Sequence, residues 1–340
     1  MSTEKLSIVI ATGIYPPELG GPAEYAKNLA HVWRAGGHSV HVEVFSRFNN
    51  LLTGVRHCVY FITLFKSVRN ADFVYILDTF SAALPALVMS KILGKTTILR
   101  TGGDFLWEGY VERTGDLVLL KDFYTKHTHP FSLKEKIIFT LIKCILQHVD
   151  LVVWSTAWQK DIFVEPYGLQ KQRCEIIENY YGERYEYVPF QNKNFVGGTR
   201  VLKWKNLAIL NEVFQDTDVL VSGAKLDLER MPHAEFLEKI KQSYAVIIPS
   251  LGDISPNTIL DAIRCQKPFI VTRETGLYER IAPIALFVDP KNPDDIKEKV
   301  LWLSDEENYK NQCAKIKAYT HTHSWEEIAK EYEEAYLKIK

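Results

Sequence analysis

The amino-acid sequence predicts an α/β protein of two domains, each built around a parallel β-sheet. Its 340 residues fit two domains of ordinary size better than one. Short apolar segments of strand length alternate with longer segments of helical periodicity, as in successive β-α-β units. A polar, tyrosine-rich stretch without periodicity, Glu178–Pro189, interrupts this alternation. We therefore expect a first domain over 1–178, a linker over 179–193 and a second domain over 194–323.

The first predicted domain begins with a strand, because the opening MSTEKLSIVIATG has only a short apolar stretch, unlike a signal peptide. The segment Pro22–Gly36 follows, with apolar residues at helical spacing and a closing glycine pair, which predicts a helix with a glycine C-cap. The same reasoning places strands at Ser7–Ile10, Val40–Phe45, Phe73–Leu77, Thr96–Arg100 and Leu151–Ser155, and helices at Ser81–Leu93 and Leu133–His148.

The second predicted domain repeats the alternation with shorter elements. Its strands are predicted at Phe195–Gly197, Asp218–Ser222, Tyr244–Pro249, Pro268–Thr272 and Ala285–Val288. Its helices are predicted at Asn206–Phe214, His233–Gln242, Pro256–Arg264 and Pro293–Leu303, with a final helix at Ser324–Lys340. Two domains of this kind are expected to bind a ligand in the cleft between them, at the carboxyl ends of their strands.

Composition and charge exclude several classes of protein. Hydrophobic residues make up 46% of the chain and charged residues 24%, which is typical of a globular protein and not of a disordered one. The net charge of −1 provides no overall basic field for nucleic acid. Five widely spaced cysteines without a Cys-x-x-Cys pair favour reduced thiols in the cytosol.

The sequence predicts a cytoplasmic protein without a membrane-spanning helix. The longest apolar runs, Cys58–Phe65 and Phe80–Met89, are far shorter than the roughly 18 residues that a spanning helix needs. Lys134-Glu-Lys136 and the nearby apolar residues leave open a peripheral contact with the inner face of the membrane.

A glycine pair, Gly20 and Gly21, follows the first predicted strand and opens the first predicted helix. Glycine lets the backbone approach a ligand closely, and a helix N-terminus attracts phosphate through its free N–H groups. The motif is neither the dinucleotide fingerprint nor a P-loop, and the same residues also suit an ordinary turn.

A cluster of three cations, Arg200, Lys203 and Lys205, lies between a short predicted strand and a helix. Arginine can bind a diphosphate through two hydrogen bonds, and lysine binds it as a point charge. A solvated basic turn is the alternative interpretation.

The loop after the strand Tyr244–Pro249 leads into a helix start that is suited to an anion. Ser255 is the predicted N-cap and Pro256 the first helical residue. The backbone N–H groups of Asn257 and Thr258 would then point out of the helix end.

Two aspartates flank this helix start. Asp261 lies four residues after Asn257 and therefore on the same helix face, where its carboxylate could accept hydrogen bonds from ribose hydroxyls. Asp253 lies in the preceding loop and could hold the hydroxyls of a sugar. A capped helix with two surface aspartates is the alternative.

A connection of about thirty residues, Thr101–Ser132, shows no repeating pattern and is rich in Gly, Asp, Trp and Tyr. Loops of this length inside a compact domain are usually functional. Asp104 and Glu108 are expected at the edge of the cleft, with Trp107 as an aromatic surface for a sugar ring. A surface excursion with its own short helix explains the segment equally well.

Taken together, these motifs resemble those of the retaining glycosyltransferases of family 4, which have the two-domain GT-B fold. The resemblance covers most of the chain and is carried by joint spacing. The matching residues are Pro16-Pro17, Gly20-Gly21, Gly37-His38, Arg200, Lys205, Asn206, Pro249-Ser250, Asp253, Asp261-Ala262, Lys267-Pro268, Thr272 and Gly276.

The resemblance implies a metal-independent transfer of a sugar from a UDP- or GDP-sugar to a hydroxyl of a glycan or lipid-linked acceptor, with retention of configuration and no cofactor. It also implies that the final helix packs on the first domain. Arg200 and Lys205 would stabilise the leaving diphosphate, Asp253 would hold the sugar, and Asp104 would assist the acceptor together with Trp107 and Glu108. The implied donor-binding residues are Gly20, Gly21, Arg200, Lys205, Asp253, Ile254, Ser255, Pro256, Asn257, Thr258 and Asp261.

The sequence departs from the family pattern at several places, which include Thr199 before the arginine and a short stretch between Phe214 and Tyr244. Aspartates Asp253 and Asp261 stand where the family has glutamates, and Asp104 stands near the position of a family histidine, the nearest histidines being His127 and His129. Two alternatives therefore remain: a catalytically degenerate protein that binds sugar nucleotides, and a sugar-nucleotide 2-epimerase of the same fold.

Overall fold

The computed structural model describes residues 5–18, 20–125, 131–198 and 202–340. These residues form two compact α/β units. The first contains the described residues of Met1–Leu106, Thr128–Tyr180 and His323–Lys340, and the second those of Trp107–His127 and Tyr181–Thr322. The sequence assigns 107–127 to the first domain, but in the structure this segment packs with the second unit.

The described residues of the first unit form a six-stranded parallel sheet in the order β2-β1-β3-β4-β5-β6. The strands are buried along most of their length because helices cover both faces, as is usual for parallel sheets. Their bounds are β1 Ser7–Thr12, β2 Ser39–Val44, β3 Phe73–Leu77, β4 Thr96–Arg100, β5 Leu151–Trp154 and β6 Cys174–Ile176.

Helices connect these parallel strands, and connections of this kind are right-handed in nearly all proteins. The helix Ala83–Ile92 is shorter by a few residues than the predicted one, and the helix Thr53–Val68 lies where no helix is predicted. The helices before Tyr180 are α1 Gly21–Ala35, α2 Thr53–Val68, α3 Ala83–Ile92, α4 Phe105–Thr114, α5 Leu120–Phe123, α6 Leu133–His148 and α7 Ala157–Tyr167. No helix in the described ranges is long and apolar enough to cross a membrane.

The last helix of the chain completes the core of the first unit, which confirms the expected return of the C-terminal helix. Ser324 caps it through a capping box with Glu327, which satisfies the N–H groups at the helix start. Its buried face packs against α1 and the sheet, where Tyr332 contacts the ring of Trp33 and accepts a hydrogen bond from the hydroxyl of Tyr75 at 3.2 Å.

The described residues of the second unit form a five-stranded parallel sheet in the order β11-β10-β9-β7-β8. Its bounds are β7 Asn194–Val196, β8 Lys225–Asp227, β9 Ala245–Ile248, β10 Phe269–Thr272 and β11 Leu286–Val288. Two clusters of buried apolar side chains lie on the two faces of this sheet.

One predicted strand of the second unit is wrong. Residues Thr217–Val221 form a helix, because the Asp216 side chain accepts a hydrogen bond from the Asp218 N–H and caps it, and the strand begins later, at Lys225. The remaining helices are α8 Ala208–Gln215, α9 Thr217–Val221, α10 His233–Gln242, α11 Asn257–Arg264, α12 Tyr278–Ile281, α13 Pro293–Ser304, α14 Glu306–Ala318 and α15 Trp325–Ile339.

Candidate functional site

The candidate site lies in the second unit, where loops follow the carboxyl ends of the neighbouring strands β7, β9 and β10. Backbone hydrogen bonds connect the three loops. The Leu251 N–H donates to the carbonyl of Trp204 at 2.9 Å, and the Asp253 N–H donates to the carbonyl of Glu274 at 2.9 Å. The Gly276 N–H donates in turn to the carbonyl of Asp253 at 3.2 Å. The backbone at Asp253 is therefore fixed from both sides.

Lys205 and Asp253 are brought together at this edge. The Lys205 ammonium lies 2.6 Å from an Asp253 carboxylate oxygen, and the two side chains are only 16% and 11% exposed. The Ser250 hydroxyl donates to the same oxygen at 3.4 Å. The ammonium also lies 4.3 Å from the centre of the Trp204 ring, a favourable cation–π distance.

Asn206 shapes the turn that carries Lys205. Its backbone is left-handed, with φ 56°, a conformation that asparagine tolerates better than most residues. Its side-chain amide donates to the carbonyls of Pro249 at 3.2 Å and Pro290 at 2.6 Å. Asn206 thus ties the loop after β7 to the loop after β9, and this positions Lys205 beside Asp253.

The helix start after this loop differs by one residue from the predicted one. Pro256, rather than Ser255, is the N-cap, and α11 begins at Asn257 without a side-chain cap. Proline has no side-chain acceptor, so the first N–H groups of the helix, which include those of Asn257 and Thr258, receive no capping bond from it. The buried Ser255 hydroxyl has no hydrogen-bond partner among the described residues.

Asp261 is buried one turn into α11, and its carboxylate is held by two neighbours. The His233 imidazole lies 2.8 Å from one oxygen, and the Arg264 guanidinium donates to the other at 3.3 Å. The His233 side chain is 60% exposed. Burial, together with the Asp261 charge, raises the pKa of the adjacent Cys265 thiol to about 12, which keeps it protonated at neutral pH. The sequence motifs do not predict that His233 lies beside Asp261.

A segment that the sequence assigned to the first domain contacts the same edge of the second unit. The Lys121 ammonium lies 2.6 Å from the Glu274 carboxylate, and the Leu120 N–H donates to the Leu251 carbonyl at 3.2 Å. The Lys203 N–H donates to the Glu112 carboxylate at 2.6 Å. Helices α4 and α5 therefore rest on the loops after β7, β9 and β10, and Lys121 and Glu274 are site neighbours that no motif in the sequence indicated.

The three predicted acceptor residues have different environments. Trp107 is buried in the second unit, where its indole N–H donates to the Val118 carbonyl at 2.9 Å and its ring lies 5.6 Å from that of Trp204. Glu108 is half-buried in the same segment. Asp104 belongs to the first unit, is buried, and accepts a hydrogen bond from the Leu106 N–H at 3.0 Å. Their roles toward an acceptor stay predictions.

The glycine pair lies in the first unit, at the start of α1. Gly20 has φ 157° and ψ 154° and precedes the helix without a side-chain cap. A Cβ at Gly20 would lie 2.9 Å from the terminal Cδ1 of Ile14, so a larger residue would require the Ile14 side chain to move. Asp78, at the end of β3, accepts bonds from the N–H groups of Phe80 and Ala82, and burial raises its pKa.

Arg200, the other predicted diphosphate ligand, lies outside the described residues, as do His127 and His129. Among the described residues, no group of three or more His, Cys, Asp or Glu side chains is arranged to hold a metal ion.

Several solved structures have the same fold as this chain. A sucrose-phosphate synthase from Thermosynechococcus elongatus matches with a TM-score of 0.72 at 11% identity, covering 99% of both chains. HepE of Anabaena, solved with UDP and glucose, matches with a TM-score of 0.66 at 12% identity, covering 97% of this chain and 99% of that one. Starch synthase IV of Arabidopsis thaliana, solved with ADP and acarbose, matches with a TM-score of 0.66 at 11% identity over 99% of both chains.

This chain has the GT-B fold. The similarity extends over nearly all of each solved chain, and the fold class predicted from the sequence is thereby confirmed. No family model matches the sequence, and no curated protein matches it either. At these identities the likeness establishes the fold alone, and activity has to be argued from the site.

Proposed function

We propose that this protein is a glycosyltransferase that moves a sugar from a nucleotide-diphosphate sugar to a hydroxyl of a glycan or lipid-linked acceptor. The observation that carries the proposal is the Lys205–Asp253 pair, 2.6 Å apart at the carboxyl edge of the second sheet, next to the uncapped start of α11. A cation and unpaired helix N–H groups suit a diphosphate, and a neighbouring carboxylate suits sugar hydroxyls. The fold is shared with proteins solved with UDP and with ADP, which supports a diphosphate donor.

In the proposed reaction, the acceptor hydroxyl oxygen forms a bond to the anomeric carbon, and the bond from that carbon to the phosphate oxygen breaks. The hydroxyl proton passes to the departing phosphate, and the new bond forms on the face that the phosphate leaves, which retains the configuration. Lys205 and the N–H groups of Asn257 and Thr258 stabilise the negative charge that grows on the diphosphate. Arg200 is proposed to act with them.

The donor's other groups are assigned to the two aspartates. Asp253 accepts hydrogen bonds from the transferred sugar once Lys205 turns toward the diphosphate. Asp261 accepts bonds from the ribose, which then replaces His233, the more exposed of its two partners. Ile254, Ser255 and Pro256 supply the backbone that surrounds the donor. Gly20 and Gly21 are proposed to contact the donor, and Asp104 the acceptor, with Trp107 and Glu108 shaping the choice of acceptor.

Calorimetry and product analysis test this proposal directly. The purified protein is titrated with UDP, GDP and their common sugar conjugates, with and without EDTA, beside Arg200→Ala/Lys205→Ala and the control Lys203→Ala. We expect EDTA-insensitive binding of one nucleotide, which is lost in the double variant and kept in the control. Slow release of free sugar from the matching conjugate, and a product whose anomeric configuration by NMR equals that of the donor, are expected with it.

Three results would contradict the proposal. Absence of binding to any nucleotide would remove the donor site. Binding without release or transfer of sugar would identify a binding protein. A changed sugar nucleotide formed without an acceptor would identify an epimerase.

A further inference from the structure

Three helices of the first unit carry apolar side chains on their solvent-facing sides. On α2 the exposed residues recur at helical spacing and include Val55, Ile62 and Phe65. Ile62 is 69% exposed, and Leu133 at the start of α6 is 76% exposed. The other large apolar residues exposed on α3 and α6 are Val88, Ile92 and Ile137. Single exposed apolar residues are normal, but a set that recurs on neighbouring helices marks a contact surface.

The three helices are neighbours on one face of the sheet. Along the chain, β3, β4 and β5 follow β2 and are added to the sheet one after another in the same direction, away from β2. Right-handed crossovers of this kind place their helices on the same face. In the structure α3 packs against both α2 and α6. The exposed apolar residues therefore belong to one surface, which we call the α2–α3–α6 face.

The α2–α3–α6 face is strongly basic although the whole chain has a net charge of −1. Residues 52–69, 83–95 and 132–148 contain one acidic residue, Glu135. Glu135 is buried, and its carboxylate accepts a bond from the Ser132 N–H at 2.7 Å. The basic residues of the same three ranges are Arg56, Lys66, Arg69, Lys91, Lys95, Lys134, Lys136 and Lys143.

Some of these cations are neutralised by the protein and several are not. Lys91, for example, pairs with Asp150 at 2.7 Å. Lys66, Arg69, Lys134 and Lys136 are exposed, and no carboxylate of the described residues lies within ion-pair distance of them. A surface that combines exposed aliphatic and aromatic side chains with uncompensated lysines has the chemistry of an interfacial membrane contact.

We propose that the α2–α3–α6 face binds the surface of an anionic lipid bilayer. The apolar side chains enter the boundary between headgroups and acyl chains, and the lysines and arginines contact the anionic headgroups. A lipid surface fits better than a polynucleotide, because the face exposes large aliphatic side chains such as Ile62 and Leu133, which can enter the acyl region of a bilayer but find no counterpart along a phosphate backbone. It fits better than a second copy of this chain, because the uncompensated cations of the two copies would face each other across a symmetric contact. The proposal does not rest on the sugar-transfer activity.

Co-sedimentation of the whole protein with vesicles tests this binding. Vesicles of phosphatidylcholine alone are compared with vesicles that contain phosphatidylserine, at low and at high salt. We expect binding to the anionic vesicles that falls steeply with salt and little binding to the neutral ones. Each basic residue near an anionic surface contributes about fivefold to partitioning, so Lys134→Ala/Lys136→Ala is expected to bind about 25-fold more weakly.

Two further variants keep the result interpretable. Lys315→Ala/Lys317→Ala removes two exposed lysines from α14 in the second unit and is expected to bind vesicles as the unmodified protein does. Ile62→Ser/Phe65→Ser changes only exposed side chains and is expected to weaken binding with its thermal unfolding unchanged.

Several outcomes would overturn the proposal. Equal losses in the two lysine variants would mean that net charge alone matters. Unchanged binding by Ile62→Ser/Phe65→Ser, with equally strong binding to an RNA oligonucleotide, would mean that the face binds polyanions in general. A dimer in light scattering that Phe65→Ser abolishes would assign the face to self-association.

Discussion

Replacing Lys205 with methionine is expected to weaken the binding of a nucleoside diphosphate about 30-fold. A charge pair about 4 Å apart at an effective dielectric near 20 gains about 4 kcal/mol. Part of this is offset because Lys205 must first leave Asp253, from which it is separated by 2.6 Å. A net loss of about 2 kcal/mol remains, and about 1.4 kcal/mol corresponds to a tenfold change in Kd. Calorimetry with UDP and GDP measures the difference.

The same geometry predicts that Asp253→Asn has the opposite effect on the affinity for a nucleoside diphosphate. Removing this carboxylate frees Lys205 and removes a negative charge from the neighbourhood of the phosphates, so affinity for the bare diphosphate is expected to rise several-fold. Release of sugar from the full donor is expected to fall, because the proposed sugar contact is weakened. These two effects separate the phosphate contact from the sugar contact.

Lys203→Met is the matched control for this experiment. Lys203 lies in the same turn, and its ammonium donates to the Glu112 carbonyl at 2.8 Å and not to Asp253. Its replacement is expected to leave Kd for the diphosphate within twofold of the unmodified protein. Equal weakening by Lys203→Met and Lys205→Met, or weaker diphosphate binding by Asp253→Asn, would refute the assignment.

Three further predictions concern stability and the packing of single segments. Burial lowers the pKa of Lys267 to about 8, below its unfolded value of about 10.4, so stability is expected to rise with pH between these values. Accordingly, Lys267→Met is expected to stabilise the protein by about 2 kcal/mol at pH 7 and by much less at pH 10 in denaturant titrations. Lys121→Ala leaves the buried Glu274 carboxylate unpaired and is expected to increase hydrogen exchange in 105–125. Adding Glu274→Gln to the same chain should restore protection. Unchanged exchange in Lys121→Ala would contradict the role of this pair. Ser324→Ala removes the cap of α15 and is expected to cost about 1 kcal/mol of unfolding free energy, whereas a change below about 0.3 kcal/mol would show that packing alone holds the helix.

Much of the fold is predictable from the sequence because local patterns and tertiary structure agree. The helix at His233–Gln242 has the predicted bounds, and the strand at Phe73–Leu77 does as well. The apolar spacing of the helix matches its buried side, and the continuous apolar run of the strand matches its burial on both faces. The helix at Thr53–Val68 is not predicted, because its exposed apolar residues, such as Ile62 and Phe65, obscure the helical periodicity.

The strand predicted at Asp218–Ser222 shows the limit of predicting secondary structure from a short apolar run. Residues 217–221 contain β-branched side chains, which favour a strand. The side chain of Asp216 nevertheless caps a helix there, and Gly223 ends it with a positive φ of 80°. Periodicity over five residues does not distinguish the two structures.

The candidate site was predictable only in part. Lys205 and Asp253 meet as their spacing around two parallel strands implies, because the carboxyl ends of such strands share one edge. Lys121 could not be placed by the same rule. It reaches Glu274 because the segment 107–125 packs with the second unit, and sequence patterns do not reveal with which sheet a long connection packs.

The C-terminal helix has a consequence for how the protein is made. Because Tyr332 and its neighbours fill the interior beside Trp33 and Tyr75, the first half of the chain leaves the ribosome with an aromatic groove that its own residues do not close. That groove stays open while residues 181–322 of the second unit are synthesised, and the chain has to avoid aggregation during this interval. Biogenesis of the amino-terminal half therefore depends on the translation of its final residues.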